Sequence, residues 1–295
     1  MARGLAAPHP LSTSPLPPTE RIPSRLRIAP HDRSPHPAAR PDLIPSCLEK
    51  TRMAALPRSV TALPRLLVFA ALACAAANAA PSSTQTEGER LLEQGRLLLD
   101  PGILSAARNS FTQCAAQEPG NAQCLLDLAR TEFYLAKVDD IAKNPDAAHK
   151  MLDSAINDAQ KAISLDDRSA DAHALLADLY GARITGMLSG MKFGPKANTE
   201  SQRALQLDPN NALVYAVLGR KYFYSPSAFG GDIDKAIDSF KHAAALDPQS
   251  YEDLVWLAKA YRKKGDTAQE KEALAQALRL NPRSVFAQRV QSGQE

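Results

Sequence analysis

The sequence has no apolar run long enough for an ordinary transmembrane helix. Its most apolar stretch, from Leu66 to Ala73, is far shorter than the about 20 residues that a spanning helix needs. Basic side chains at Arg58 and Arg65 precede this run, and Ala77-Asn78-Ala79 follows it. This order of basic, apolar and small residues is typical of a secretory signal peptide and not of a membrane anchor.

Histidine is scarce, which bears on catalysis and metal binding. Beyond residue 80 only His149, His173 and His242 occur, far apart in the sequence. None has a cysteine or carboxylate at metal-ligand spacing, and no nucleophile, base and acid fall into a recognisable pattern. The sequence therefore predicts a protein that is not an enzyme, with no metal site and no cofactor.

An excess of basic charge is also missing once the N-terminal part is set aside. The first 80 residues hold 10 of the 35 Lys and Arg and 4 of the 32 Asp and Glu, which leaves 25 basic against 28 acidic residues. The formal net charge of +3 for the whole chain thus becomes about −3. This balance gives no reason to expect a nucleic-acid partner.

The N-terminal 80 residues divide into two parts. Residues 1–52 are rich in Pro and Arg and have no periodic apolar face, so we expect no folded core there. Met53 then opens the signal-peptide pattern of residues 53–80, which makes Met53 the expected start and 1–52 an over-extended reading. The alternative is a genuine disordered leader that targets an organelle. The pattern predicts export to a bacterial periplasm; anchoring as a lipoprotein through Cys74 is a second reading.

A repeated pattern of amphipathic helices fills the chain after a short linker, residues 81–87. Similar closing segments recur as Leu207-Asp208-Pro209-Asn210-Asn211, Leu246-Asp247-Pro248-Gln249-Ser250 and Leu280-Asn281-Pro282-Arg283-Ser284. Proline cannot continue a helix, so each segment marks a turn to the next unit. The units span 88–121, 122–169, 170–211, 212–250 and 251–284, and residues 285–295 form a short C-terminal cap and tail.

Small residues recur at fixed places in these units. The first helix (A) has Gly95, Ala129, Ala177, Gly219 and Ala258, and the second helix (B) has Ala107, Ala155, Ala197 and Ala236. The pattern resembles the tetratricopeptide repeat (TPR), two helices in about 34 residues. The resemblance implies an all-α, right-handed α-solenoid of five such helix-turn-helix repeats over 88–284, with a short C-terminal capping helix. The sequence departs from the pattern at Gln94, Glu132, Ser201 and Glu270, and Asp167 replaces a proline.

The middle three units are longer between helix A and helix B. The additions lie at Ala136–Asn144, Gly186–Gly194 and Ser225–Gly231, and we expect them on one edge of the solenoid. In the second, we expect a glycine-hinged loop whose apolar residues either fold back onto the solenoid or remain available to a partner. In the third, we expect Phe229 to fill the bend, and a binding role is the alternative. We call the following residues the insert edge: Met187, Leu188, Met191, Phe193 and Phe229.

The resemblance also implies a concave groove lined by helix A. Its matching positions are mostly cationic with interleaved aromatic rings, a combination suited to a protein or peptide partner with acidic groups. The alternative is ordinary surface charge and packing between helices. The groove residues are Arg96, Arg130, Phe133, Arg220, Phe223, Tyr224, Lys259 and Arg262.

Two cysteines, Cys114 and Cys124, flank the turn between the first two units. In an oxidising compartment they are placed for a disulfide. The alternative is that both are small buried residues in a helix interface.

These features favour a non-catalytic protein–protein interaction scaffold of the bacterial cell envelope. A small-ligand-binding or transporter-accessory protein is the second interpretation. The third is a structural homo-oligomer that associates through its insert edge.

Overall fold

The computed structural model describes residues 82–294, and these residues are entirely helical apart from turns. The segments predicted as leader (1–52) and signal peptide (53–80), with Cys74, lie outside the described residues. No helix of residues 82–294 is both long and apolar enough to cross a membrane. The α-helices are α1 Ser83–Leu98, α2 Pro101–Gln117, α3 Ala122–Ile141, α4 Pro145–Leu165, α5 Ala170–Ala182, α6 Met187–Leu207, α7 Ala212–Tyr224, α8 Ile233–Leu246, α9 Tyr251–Lys264, α10 Thr267–Leu280 and α11 Val285–Gln291.

The helices pack in successive pairs that form hairpins: α1 with α2, α3 with α4, α5 with α6, α7 with α8, and α9 with α10. Helix α11 then packs on the α9–α10 hairpin as a cap. The predicted all-α, TPR-like solenoid is therefore confirmed. The expected linker at 81–87 differs: helix α1 already begins at Ser83, because the Ser82 side chain accepts a hydrogen bond from the Gln85 N–H and caps it.

The proline-containing segments end one hairpin and start the next. After α6, Asp208 closes the helix and the Asn211 side chain accepts from the Val214 N–H to cap α7. Ser250 caps α9 and Ser284 caps α11 in the same way. Each segment thus supplies both a helix stop and the next N-cap, which explains why its last residue is Asn or Ser.

Small residues allow the helices of a hairpin to touch. Ala129, Ala177 and Ala258 are at most 2% exposed. A Cβ placed on Gly95 would lie 2.8 Å from Leu104 Cγ, and one on Gly219 would lie 2.5 Å from Phe240 Cε1. The predicted small positions are therefore sites of close helix packing.

The departures from the repeat pattern are accommodated by polar contacts. Glu132 is fully buried, and its Oε1 accepts from Arg108 Nε at 2.8 Å and from Ser154 Oγ at 2.9 Å. Ser201, 3% exposed, donates to the Ala197 carbonyl. Burial raises the pKa of Glu132, while the hydrogen bonds from Arg108 and Ser154 act against that rise.

The three additions have three different structures. The first mainly lengthens α3, and Asn144 caps α4 ahead of Pro145 and Asp146, an order of residues that favours a helix start. The second is helical and not the expected glycine-hinged loop, since α6 begins at Met187 and contains Pro195. The third is a short 3-10 turn, Ser227–Phe229, followed by Asp232 as the cap of α8.

Candidate functional site

The arginines of the predicted groove are paired with acids of the chain itself. Arg220 makes two hydrogen bonds to Asp178, at 2.9 and 2.8 Å, and both side chains are nearly buried. Arg130 lies 3.1 Å from Asp127 and 3.7 Å from Asp171. The positive charges of these groove arginines are therefore largely neutralised by carboxylates of the same chain.

The other predicted groove residues are also engaged. Phe133 and Phe223 are 7% and 8% exposed. Arg262 pairs with Glu270 and donates to the Val290 carbonyl, which fixes the capping helix α11 to α9. The Lys259 ammonium lies 4.9 Å from the centre of the Trp256 ring. These contacts show that most of the predicted groove residues pack between helices, which was the alternative to a binding groove.

Tyr224 is the groove aromatic that remains open to solvent, with 63% exposure. Its ring contacts those of Phe223 and Trp256. The Trp256 indole is 6% exposed, and its Nε1 has no hydrogen-bond partner among the described residues. Tyr224 thus extends a buried aromatic cluster to the surface, where a partner could contact it.

Glu252 joins the first hairpin to the last. Its carboxylate lies 3.0 Å from Arg96 Nη1 and accepts from the Tyr134 hydroxyl at 2.9 Å, although these residues are 156 and 118 positions away. Helix α1 also contacts α11, and Leu97 packs against the C-terminal core cluster. The superhelix of residues 82–294 is therefore closed between α1 and the α9–α11 region.

The contact between Glu252 and the first two hairpins is accompanied by shifted pKa values of the groups that surround it. Burial alone would raise the pKa of Glu252, but the charges of Arg96 and Lys137 and the Tyr134 hydrogen bond lower it overall. Burial lowers the pKa of Lys137, whose ammonium lies 4.3 Å from the centre of the Phe133 ring. Glu252 is consequently the anion around which the closure is built.

We expect Glu252→Gln to lower the free energy of unfolding by about 2 kcal/mol at pH 7, because it removes a charge-assisted pair with Arg96. The folded-state pKa of Glu252 is lowered, so its contribution is present above the unfolded pKa and is lost as pH falls through the folded value. Urea unfolding from pH 3 to pH 7 would measure this.

Glu93→Gln is the matched control for that variant. Glu93 also pairs with Arg96, but its side chain is 63% exposed, so we expect a loss below about 1 kcal/mol. Equal losses for the two variants would contradict a special role of the closing contact.

The second addition carries the most exposed apolar side chains. Met187, Leu188 and Met191 are 76%, 83% and 72% exposed at the start of α6. Phe193, on the same helix, is 8% exposed and stacks on Tyr180 at 5.9 Å between ring centres. Of the four large apolar residues named here, Phe193 thus folds back onto the solenoid, and the other three face solvent.

The segment is held in a defined conformation. The Ser189 hydroxyl accepts from the N–H groups of Thr185 and Gly186 at the start of the helix. Lys192 and Lys196 lie 4.9 and 5.5 Å from the ring centres of Phe193 and Tyr180, respectively. The exposed apolar residues therefore stand on an ordered, capped helix.

Phe229, expected to fill the bend of the third addition, is instead 72% exposed. The turn closes through backbone hydrogen bonds from Phe229 and Gly231 to the Pro226 carbonyl, and Gly231 has no room for a side chain beside the Ser225 carbonyl. Because the backbone fills the bend, the ring has no place inside it.

Most exposed large apolar residues lie at or beside the A–B turns. Nine such residues occur in the described part of the chain, and Leu165 and Leu280 are the two that lie elsewhere. A single exposed apolar residue is ordinary, whereas a concentration in one class of turn indicates contact with another molecule. The residues at or beside the A–B turns are Ile141, Ile184, Met187, Leu188, Met191, Tyr224 and Phe229.

A cavity of about 390 Å³ lies between the A–B turns of the second and third hairpins, which carry the first and second additions. Its apolar part includes Phe133, Ala148 and Leu152, and Lys137 and His149 are among its polar groups. Of the two cavities described for residues 82–294, this is the one lined both by a predicted groove residue, Phe133, and by residues of the A–B turns.

The two cysteines are joined. Cys114 and Cys124 are fully buried and form a disulfide with a Cα–Cα distance of 5.8 Å, within the usual range for such bonds. It links the end of α2 to the start of α3 and so fixes the first hairpin to the second.

Sequence reasoning missed two buried polar contacts. His173 Nδ1 lies 2.6 Å from Glu200 Oε2, and its Nε2 lies 3.1 Å from the Asp167 carbonyl oxygen. Glu252 also escaped notice. Glu200 and Arg96 are 27 and 156 residues from their partners His173 and Glu252, so no local sequence pattern could have indicated that these pairs meet.

Comparison with known proteins agrees with this architecture. A tetratricopeptide-repeat model matches residues 254–284. The model for regulator of microtubule dynamics proteins 1–3 matches residues 91–230, a span shorter than half of the chain, so it records a similarity and not membership. No curated protein matches the sequence.

Among solved structures, a thermophilic TPR protein of Thermus thermophilus is 21% identical with a TM-score of 0.54, covering 70% of this chain and 98% of its own. MamA from Desulfovibrio magneticus RS-1 is 17% identical with a TM-score of 0.35, covering 69% and 98%. YrrB, a TPR protein with an unusual peptide-binding site, is 16% identical with a TM-score of 0.35, covering 72% and 100%. The first of these structures, together with the repeat matched at residues 254–284, shows that this chain has the fold of a tetratricopeptide-repeat α-solenoid.

Proposed function

We propose that this protein is a non-catalytic scaffold that binds a protein partner through its insert edge. The observation that carries the proposal is the exposure of Met187, Leu188 and Met191, each above 70%, on the ordered first turns of α6. An apolar surface on a rigid helix loses little conformational entropy on binding. Methionine side chains also adapt to different partner shapes.

The insert edge is favoured over the helix-A groove because of the charges. Arg96, Arg130 and Arg220 already have carboxylates of the same chain as partners. A partner would have to break these pairs, which leaves buried charge uncompensated. Tyr224 and Phe229, exposed near the third addition, extend the binding surface without that cost.

The setting we propose is the bacterial cell envelope. It rests on the signal-peptide pattern of residues 53–80, with its basic, apolar and small-residue parts. N-terminal sequencing of the exported chain tests it: a start after Ala79 or Ala80 supports it, a start at Cys74 supports lipid anchoring, and retention of residues 1–52 contradicts it.

Binding is tested by photo-crosslinking in cells, with the full chain carrying a crosslinker at Thr185, an exposed residue just before the start of α6. The test variant is Met187→Ser/Leu188→Ser/Met191→Ser. Leu165→Ser/Leu280→Ser is the matched control, because it removes exposed apolar residues away from the A–B turns. We expect the crosslinked partner to be lost in the test variant and kept in the control, with unchanged thermal unfolding in both.

Equal crosslinking in all three proteins would overturn the proposal. A crosslinked product with twice the mass of the chain would identify self-association.

A small-ligand function is the second candidate, and the cavity of about 390 Å³ favours it, since ligand sites begin at roughly 300 Å³. Native mass spectrometry of the purified chain tests this. A bound small molecule that is lost on Leu152→Trp, which fills the cavity, would support it, and an unliganded mass would contradict it.

A further inference from the structure

A sulfur and carboxylate cluster lies where the first two hairpins meet. The Sγ atoms of Cys114 and Cys124 and a carboxylate oxygen of Glu118 all lie within 4.8 Å of one another. Cys114 and Glu118 are one helical turn apart at the end of α2, and Cys124 is in the first turn of α3. The tight turn between them brings three metal-ligating groups together from only eleven residues, 114–124.

Glu118 is available to act as a ligand. It is partly buried, and its Oε2 accepts a hydrogen bond from Asn121 Nδ2 at 2.8 Å. None of the salt bridges among residues 82–294 involves Glu118. A carboxylate beside two sulfurs, oriented by an amide and not neutralised by a cation, has the form of a metal ligand with an outer hydrogen bond.

The surroundings offer a donor to sulfur and favour a positive ion. The Ser82 hydroxyl lies 3.7 Å from Cys114 Sγ, so it can donate to a thiolate. The α2 helix ends at Gln117, and the C-terminal end of a helix dipole attracts a cation. Asn121 is itself fixed, because its Oδ1 accepts from the N–H groups of Gln123 and Cys124.

We propose that the reduced form of this junction binds one zinc ion through Cys114, Cys124 and Glu118, with water as the fourth ligand. Two thiolates and a carboxylate in tetrahedral geometry suit Zn²⁺. The disulfide seen in the structure and the metal site use the same two sulfurs, so they exclude each other. The redox state of the pair selects between them.

The chemistry balances in two steps. A dithiol reductant transfers two electrons to the Cys114–Cys124 disulfide, which becomes two thiols while the reductant becomes a disulfide. Zinc then binds the two sulfurs as thiolates, and two protons are released to solvent. Reoxidation reverses both steps and expels the metal.

The test is metal titration of the full chain after reduction by a phosphine. Cys47→Ser/Cys74→Ser is the background, which leaves the junction as the source of any thiolate signal. We expect one Cd²⁺ per chain with thiolate-to-metal absorbance, one Zn²⁺ by competition with a chromophoric chelator, and none in the oxidised protein.

Glu118→Gln distinguishes the three-ligand site from two thiols alone. We expect it to weaken zinc binding at least tenfold, whereas Glu89→Gln, a nearby acid outside the cluster, should leave the affinity unchanged. Absence of stoichiometric binding in the reduced chain would overturn the proposal, and so would an unchanged affinity in Glu118→Gln.

Discussion

Phe240→Ala is expected to lower the free energy of unfolding by about 3–5 kcal/mol, the usual cost of removing a buried ring. Phe240 of α8 is fully buried and stacks on Trp256 of α9 at 6.0 Å between ring centres. It thus connects two hairpins as well as filling its own. Guanidinium unfolding followed by Trp256 fluorescence would measure the loss.

Gly219 shows why the ring fits. A Cβ at this position would lie 2.5 Å from Phe240 Cε1, so Gly219→Ala should cost about 1–3 kcal/mol through overpacking. In the double variant Gly219→Ala/Phe240→Leu the smaller side chain at position 240 relieves the collision. We expect its loss of unfolding free energy to be smaller than the sum of the losses in Gly219→Ala and Phe240→Leu measured separately.

Gly181→Ala is the control for that pair, because no atom of the described residues lies within 4 Å of a Cβ built there, apart from the adjacent residues and the backbone of its own helix. It should be neutral or stabilising by up to about 1 kcal/mol, as alanine favours a helix over glycine. Strictly additive losses at Gly219 and Phe240 would contradict a direct contact between them.

Asp253→Asn is expected to stabilise the protein by about 3 kcal/mol at pH 8 and to have little effect at pH 4. Burial raises the pKa of Asp253 from 3.8 to about 6, against the opposing effects of Ser250 and Arg220. Each unit of pKa shift corresponds to about 1.4 kcal/mol.

The sign follows from proton binding. Between pH 4 and pH 6 the folded state holds a proton on Asp253 that the unfolded state has lost, so stability falls as pH rises through this range. The asparagine variant does not titrate and keeps its stability. Urea midpoints for both proteins from pH 4 to pH 8 would show curves that diverge above pH 4; parallel curves would refute the raised pKa.

The adjacent Glu252 should respond to pH in the opposite sense, because nearby cations lower its pKa. Two neighbouring carboxylates on α9 thus differ through their surroundings alone. The Glu252 carboxylate contacts Arg96 and Tyr134, whereas Ser250 and Arg220 act on the carboxyl group of Asp253.

The sequence predicts most of the architecture because helix packing repeats locally. The contacts that matter for the fold are made within about 35 residues of sequence. Examples are the small residues Ala129 and Gly219, and the turns at Pro209 and Pro248. The caps at Asn144 and Asp232 also follow from short-range rules.

The groove and the second addition were less predictable for a physical reason. The pairing of Arg96 with Glu252 depends on how far the superhelix turns over 156 residues, which no local pattern specifies. The glycines around Met191 indicated a loop, but Phe193 packs on Tyr180, and this tertiary contact outweighs weak helix propensity.

The contact between α1 and the α9–α11 region also bears on how this chain can evolve. An open solenoid can gain or lose a unit at either end, since each unit contacts only its neighbours. Here an added or deleted unit would carry Arg96 away from Glu252 and expose Leu97. Unit number is therefore fixed by geometry, and lineages of this protein should vary in their turns while the count of hairpins stays constant.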